Sequence, residues 1–181
     1  EKLEWMNGVY FRDMSHEELN EKILAYWEEY PPTHIPQPVD RGYLMRIVPL
    51  IQERLKTLRH ASDLTAFFFQ TNLVYDPHEL VQKGMDLKTT STVLEQALYV
   101  VDSNVTFEAS TLEERLSALE NNLDISRRQF FGLIRVATTG SKVSPPLFET
   151  MDVLGKDRCS HRISKAIEAL RVEQAAEPCS N

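Results

Sequence analysis

Leu133-Ile134-Arg135-Val136-Ala137-Thr138-Thr139-Gly140-Ser141-Lys142-Val143-Ser144-Pro145-Pro146-Leu147-Phe148 carries the strongest local signal in the chain. It reads as a basic helix that breaks at a turn of small residues, with Gly140 in the positive-φ conformation, before a second helix opens on Ser-Pro-Pro. Exposed amides at that second start can hold an anion or hydrogen-bond a nucleobase edge. Val143, the two prolines and Leu147 offer rigid apolar surface against which an unstacked base can rest. The same residues also fit an ordinary helical corner with Leu147 and Phe148 in the core.

Outward from this stretch the periodicity stays helical. Ser126 to Val136 forms the preceding helix, a short helix from Pro145 or Pro146 to Leu154 stops at Gly155, and a last one spans about Lys156 to Leu170. Upstream, Ser110-Thr111-Leu112-Glu113 has the form of a capping box, and Leu87 to Asp102 is a longer helix. Asp76 and Pro77 are placed as N-cap and first residue of a new unit. Asp63 to Phe69 reads as a short apolar helix. Asp40 caps a helix whose apolar face runs from Tyr43 to Leu55, with Pro49 predicting a kink. Ser15-His16-Glu17-Glu18 opens a helix that Pro31-Pro32 stops. The fold class expected is all-α, in two packed helical subdomains over residues 1–75 and 76–174, with 175–181 a disordered tail.

At 181 residues folding can bury roughly 70% of the unfolded surface, so a core needs no staples. Two cysteines, Cys159 and Cys179, make no disulfide framework and point to a reducing, cytoplasmic setting. No apolar run approaches the roughly 20 residues of a membrane span. The first residues, from Glu1, form neither a signal nor a transit peptide and lack an initiating Met, so the chain is expected to be a fragment or a processed product.

A net charge of −7 argues at first against nucleic acid, but the average hides a segregation. Residues 41–60 and 126–165 together hold 13 of the 20 Lys and Arg and only 4 of the 27 Asp and Glu. Such a chain can bind a polyanion locally while the rest repels misplaced phosphate, although clusters of this size also occur as solvated helix faces.

No catalytic constellation emerges. There is no Gly-rich phosphate loop, no zinc-spaced Cys or His pair and no nucleophile motif. His16, His34, His60, His78 and His161 are scattered. Cys159 lies near Arg158 and Arg162, which would lower its pKa, yet no partner base is in view and a structural role is favoured. Neighbouring carboxylates such as Glu17 and Glu18 point to different helix sides.

Three separated motifs, in order, carry a resemblance. The 133–148 stretch continued by Phe148-Glu149-Thr150-Met151-Asp152-Val153-Leu154-Gly155-Lys156-Asp157-Arg158 resembles the C-terminal anticodon-binding region of bacterial glutamyl-tRNA synthetases. Lys2-Leu3-Glu4-Trp5-Met6-Asn7-Gly8-Val9-Tyr10-Phe11-Arg12 is similar to that family's segment just beyond its catalytic lysine loop. Arg46-Ile47-Val48-Pro49-Leu50-Ile51-Gln52-Glu53-Arg54-Leu55-Lys56-Thr57-Leu58 fits the middle.

The resemblance implies an all-α cage of the class I aminoacyl-tRNA synthetase C-terminal type, preceded in the parent enzyme by a Rossmann-type domain that uses ATP and Mg²⁺ to join glutamate to its tRNA. No cofactor is expected in this part. Arg54 would read the third anticodon base through its guanidinium fork, which suggests a discriminating enzyme. Arg135 and the loop of Lys142, Val143, Ser144, Pro145 and Leu147 would contact the first two bases, the backbone more securely than the variable side chains. Trp5, Asn7 and Arg12 would belong to the stem-contact element. The implied partner is glutamate tRNA, bound by a monomer, with no DNA and no membrane. Two other readings remain at this point: an acidic helical adaptor for protein partners, and a paralogue serving another tRNA.

Overall fold

The computed structural model describes residues 9–74 and 76–176, and among them every regular element is a helix. Two compact units divide the chain, Glu1–Thr71 and Asn72–Asn181.

In the first unit, α1 (9–13) leads into α2 (His16–Glu29), where the Ser15 hydroxyl accepts the Glu18 amide at 3.1 Å. After the proline connector, α3 (Arg41–Ile51) starts on Asp40, whose carboxylate accepts from the Tyr43 amide at 2.6 Å. The sequence pattern carries this helix to Leu55, but it ends at Ile51, two residues beyond Pro49, and tightens into a 3₁₀ turn, Gln52–Arg54. Helix α4 (Leu58–Phe69) begins five residues earlier than the apolar run from Asp63 suggests. Thr57 supplies the cap, accepting from the His60 amide at 3.1 Å. Exposed Arg59 in the first turn interrupts the hydrophobic signal there.

Leu19, Ile23 and Trp27 of α2 meet Leu44, Ile47 and Ile51 of α3 in the core, with Ala61 and Phe68 of α4. Each large side chain fully removed from water contributes about 1.5–3 kcal/mol. Tyr43 ties α3 to α4: its hydroxyl donates to the Phe68 carbonyl at 3.1 Å and its ring meets Phe69 edge-on at 5.6 Å.

The second unit is built around α5 (Leu87–Ser103) and α9 (Lys156–Ala176), which pack most extensively. A 3₁₀ turn, Pro77–Glu79, precedes α5 with Asp76 as its cap. Three further helices complete the unit: α6 (Ala109–Glu120), α7 (Arg127–Thr139) and α8 (Leu147–Leu154). Leu94, Ala97 and Val101 of α5, Phe130 and Leu133 of α7, Met151 of α8, and Ile163 and Leu170 of α9 are all buried.

Two sequence expectations are corrected here. Ser110 does not cap α6, because Ala109 is already helical and Glu108 at the cap makes no side-chain bond. The Ala109 amide instead donates to the Asp152 carboxylate at 3.2 Å, so a residue of α8 supplies the missing cap. The last helix also continues past Leu170 to Ala176, taking in two residues assigned to the tail. Among the described residues no helix is long and apolar enough to cross a membrane.

Candidate nucleic-acid interface

Each unit carries one candidate element. In the first, Arg54 closes the 3₁₀ turn with its side chain exposed, rather than lying within the basic helix itself. Arg41, Arg46, Lys56 and Arg59 are exposed as well, so all five cations of the 41–60 stretch are at the surface. Guanidinium groups so placed can fork onto a base edge or meet phosphate oxygens. Arg12 is exposed near the end of α1. Trp5 and Asn7 lie outside the described residues.

The Arg54 turn is pinned from beneath. Gln52, 7% exposed, donates through Nε2 to the carbonyls of Phe11 at 2.8 Å, Met14 at 2.9 Å and, more weakly, Arg12 at 3.5 Å. Phe11 and Arg12 lie in the last turn of α1 and Met14 just beyond it, and the Phe11 carbonyl also receives the Met14 amide at 3.4 Å. Sequence reading passed Gln52 over, since a bond across 41 residues leaves no local pattern.

In the second unit, α7 ends on Gly140 at φ 74°, the left-handed conformation that the sequence demanded. The loop that follows is tied down at several points. Arg135 donates through Nη1 to the Ser144 hydroxyl, to the Ser144 carbonyl at 3.3 Å and to the Pro145 carbonyl at 2.7 Å. The Thr139 hydroxyl bonds the Arg135 carbonyl at 2.7 Å, and the Val143 amide donates to the Ser141 hydroxyl at 3.2 Å. From α9, the buried Arg162 donates to the Thr138 carbonyl at 2.6 Å.

This arrangement sorts the residues of the loop. Lys142 and Val143 are exposed, the latter at 78%. Ser144, Pro145 and Leu147 are buried, so the apolar surface expected from Leu147 and the first proline is core instead; Pro146 remains exposed. Phe148 is half-buried and packs edge-on against Phe131 at 5.4 Å. Pro146 stands at the cap position before α8 and supplies no side-chain cap. The opening amides of α8 are the backbone groups that an anion or base carbonyl would meet there.

The basic count over 126–165 overstates the outward charge. Arg162 is 2% exposed, and Lys156 is drawn to the carbonyls of Asp102 at 2.5 Å and Asn104 at 3.0 Å, closing the end of α5. Arg127, Arg128, Lys142 and Lys165 are the exposed cations of that stretch. Cys159 is fully buried, and desolvation pushes its thiol up to about 12 against the opposing pull of Arg162 and Arg158, so the structural role holds.

Comparison with known proteins fits these elements to a family. A family model described as anticodon binding domain matches residues 18–167. The chain belongs to that family. Among curated relatives of this anticodon-binding chain, a glutamate–tRNA ligase of Dehalococcoides mccartyi is 36% identical over 170 residues, covering 94% of the chain and 35% of the relative. One from Roseiflexus castenholzii is 39% identical over 180 residues, covering 97% of the chain and 35% of the relative. The chain thus spans about a third of the length of the curated relatives it matches. A solved glutamate tRNA ligase from Elizabethkingia meningosepticum, in complex with its amino acid, superposes with a TM-score of 0.71 at 20% identity, covering 92% of this chain and 32% of that one. At that identity it supports the all-α fold alone.

Proposed function

We propose that the chain is the anticodon-binding part of a glutamate–tRNA ligase and acts by gripping the anticodon loop of glutamate tRNA. The observation that carries this reading is the family match over residues 18–167 together with relatives that are glutamate–tRNA ligases. The adaptor reading draws no support from the same comparisons.

Phosphate contacts from the exposed cations of α3 and the following turn supply affinity without sequence information, and they weaken as salt rises. Identity comes from Arg54 at the third base. The loop around Lys142 and Val143, with the amides that open α8, serves the first two bases. A flexible single-stranded loop suits this surface, because its bases can be splayed and read on their edges.

ATP and Mg²⁺ belong to the parent's ligation step. Among the described residues no three His, Cys, Asp or Glu side chains gather into a group able to hold a metal ion. We place the protein in the cytoplasm as a monomer whose partner is tRNA.

Titration with glutamate tRNA and with the same tRNA changed at the third anticodon base, at low and moderate salt, tests the reading. Salt-sensitive binding that falls for the changed tRNA is the expected result. Absence of binding at low salt, or equal binding to both, overturns it.

A further inference from the structure

Gln52 has no counterpart in the anticodon roles described above, yet it joins two of the elements that carry them. It opens the 3₁₀ turn that Arg54 closes, and the Leu55 amide completes that turn by donating to the Gln52 carbonyl at 3.2 Å. Ile51 and Leu55, on either side, are 0% and 1% exposed. Phe11 and Met14, whose carbonyls receive the Gln52 amide, are buried at 7% each, and Arg12 between them points a charge to the surface. Hydrophobic burial fixes the turn in depth, while the amide bonds fix its rotation against α1.

The chemistry calls for a primary amide. The acceptors are carbonyls at 2.8 and 2.9 Å, with a third at 3.5 Å, and a single NH₂ offers two hydrogens to them. A carboxylate of the same shape would face them with lone pairs, and an apolar isostere would take away the amide donor, leaving the Phe11 carbonyl only the longer bond from the Met14 amide at 3.4 Å.

A guanidinium that discriminates a base must arrive within about 0.5 Å and 10–20° of its productive geometry. A phosphate contact is far more tolerant. A small rotation of the turn therefore costs base discrimination before it costs general affinity.

Building on the anticodon reading, we propose that Gln52 is the positioning residue for third-base recognition, holding the Arg54 turn in register with the Arg12-bearing end of α1. The two cations then engage one stretch of RNA backbone and one base as a unit.

The test compares the wild-type chain with Gln52→Met, which keeps the volume and removes the donors, and Gln52→Asn, which keeps the amide but withdraws it by one methylene. Dissociation constants are measured for glutamate tRNA, for the third-base variant and for a first-base variant, together with a thermal melt of each protein. For both substitutions the third-base preference is expected to collapse to within about twofold of unity, while the first-base preference stays at the wild-type ratio. Retention of the wild-type third-base preference by either folded variant, even with a lowered melting temperature, overturns the proposal and leaves Gln52 a stability residue. Should Gln52→Met fail to fold, Gln52→Asn decides alone. A wild-type chain that binds none of the three tRNAs, or binds all three equally, overturns the anticodon reading and this proposal with it. A wild-type chain that discriminates, beside variants that discriminate equally well, overturns only this one.

Discussion

Arg135 holds the loop that its own helix feeds, its Nη1 donating to the Ser144 hydroxyl and carbonyl and, at 2.7 Å, to the Pro145 carbonyl. Bonds from a charged donor are worth about 1.5–3 kcal/mol each in favourable geometry, so the contact ranks among the stronger constraints on the loop. Under the proposed function, an arginine used in this way would act on RNA through the shape of the loop. Ser144→Ala is therefore expected to weaken binding to tRNA most where the first two anticodon bases are read, although Ser144 itself is buried. Arg135→Lys preserves the charge but not the planar fork, and it is expected to lower stability by about 1–3 kcal/mol. A thermal melt and a binding titration on both variants separate the two effects. Wild-type first-base discrimination in Ser144→Ala would mean that the tether is dispensable for recognition.

For Arg54 the expected loss is of a different kind. Arg54→Ala is predicted to weaken cognate tRNA binding by about 1–3 kcal/mol, the cost of a good bidentate base contact. The third-base variant should lose little. Because the residue is exposed at the end of a turn, the melting temperature is expected to stay within a degree or two of wild type. Arg54→Lys should recover salt-dependent affinity without discrimination. Parallel losses on both tRNAs would assign Arg54 to phosphate.

Local chemistry was legible in the sequence and distant chemistry was not. Ser15, Asp40 and Asp76 are caps read from residues two or three positions away, and Gly140 from the break around it. The local pattern at Ser110 misses the start of α6 because its cap, Asp152, comes from 43 residues downstream. Arg162 counted as surface charge in the sequence and is buried on the Thr138 carbonyl. Leu147 could serve equally as platform or core on periodicity alone, and tertiary packing assigned it to the core. Gln52 has the composition of a solvated helix end. Its three carbonyl acceptors lie near residue 12, out of reach of any pattern of period 3.6.

Asp86 offers a test of capping by pH. Its carboxylate accepts the Thr89 amide at 2.6 Å at the start of α5, and that bond, with help from the Thr89 hydroxyl, holds its pKa below the ordinary carboxylate value. A lowered folded pKa means that the unfolded chain takes up this proton first as pH falls. The contribution is thus complete above the ordinary carboxylate range and is lost as acid titrates the folded group. Asp86→Asn keeps an oxygen acceptor but has no proton to take up. Its melting temperature is expected to decline less steeply than that of wild type between pH 5 and 3. Superimposable declines would show that the cap carries no measurable linkage.

The thiol of Cys159 reverses the sign of that argument. Burial raises its pKa from the ordinary 9.0 to about 12, so in the folded chain the group keeps its proton where the unfolded chain releases it. Its contribution to stability is complete below pH 9 and is lost as pH climbs from there toward 12. Reactivity follows the same ionisation, since the thiolate is the nucleophile. In a Cys179→Ser background, a disulfide reagent at pH 8 is expected to leave Cys159 unmodified in the folded chain and to titrate it fully in denaturant. Prompt modification of the folded chain would mean that α9 opens around Cys159 on the timescale of the assay. The helix that carries Cys159 also carries Arg162, so modification would be expected to loosen the Thr138 end of the loop that follows α7.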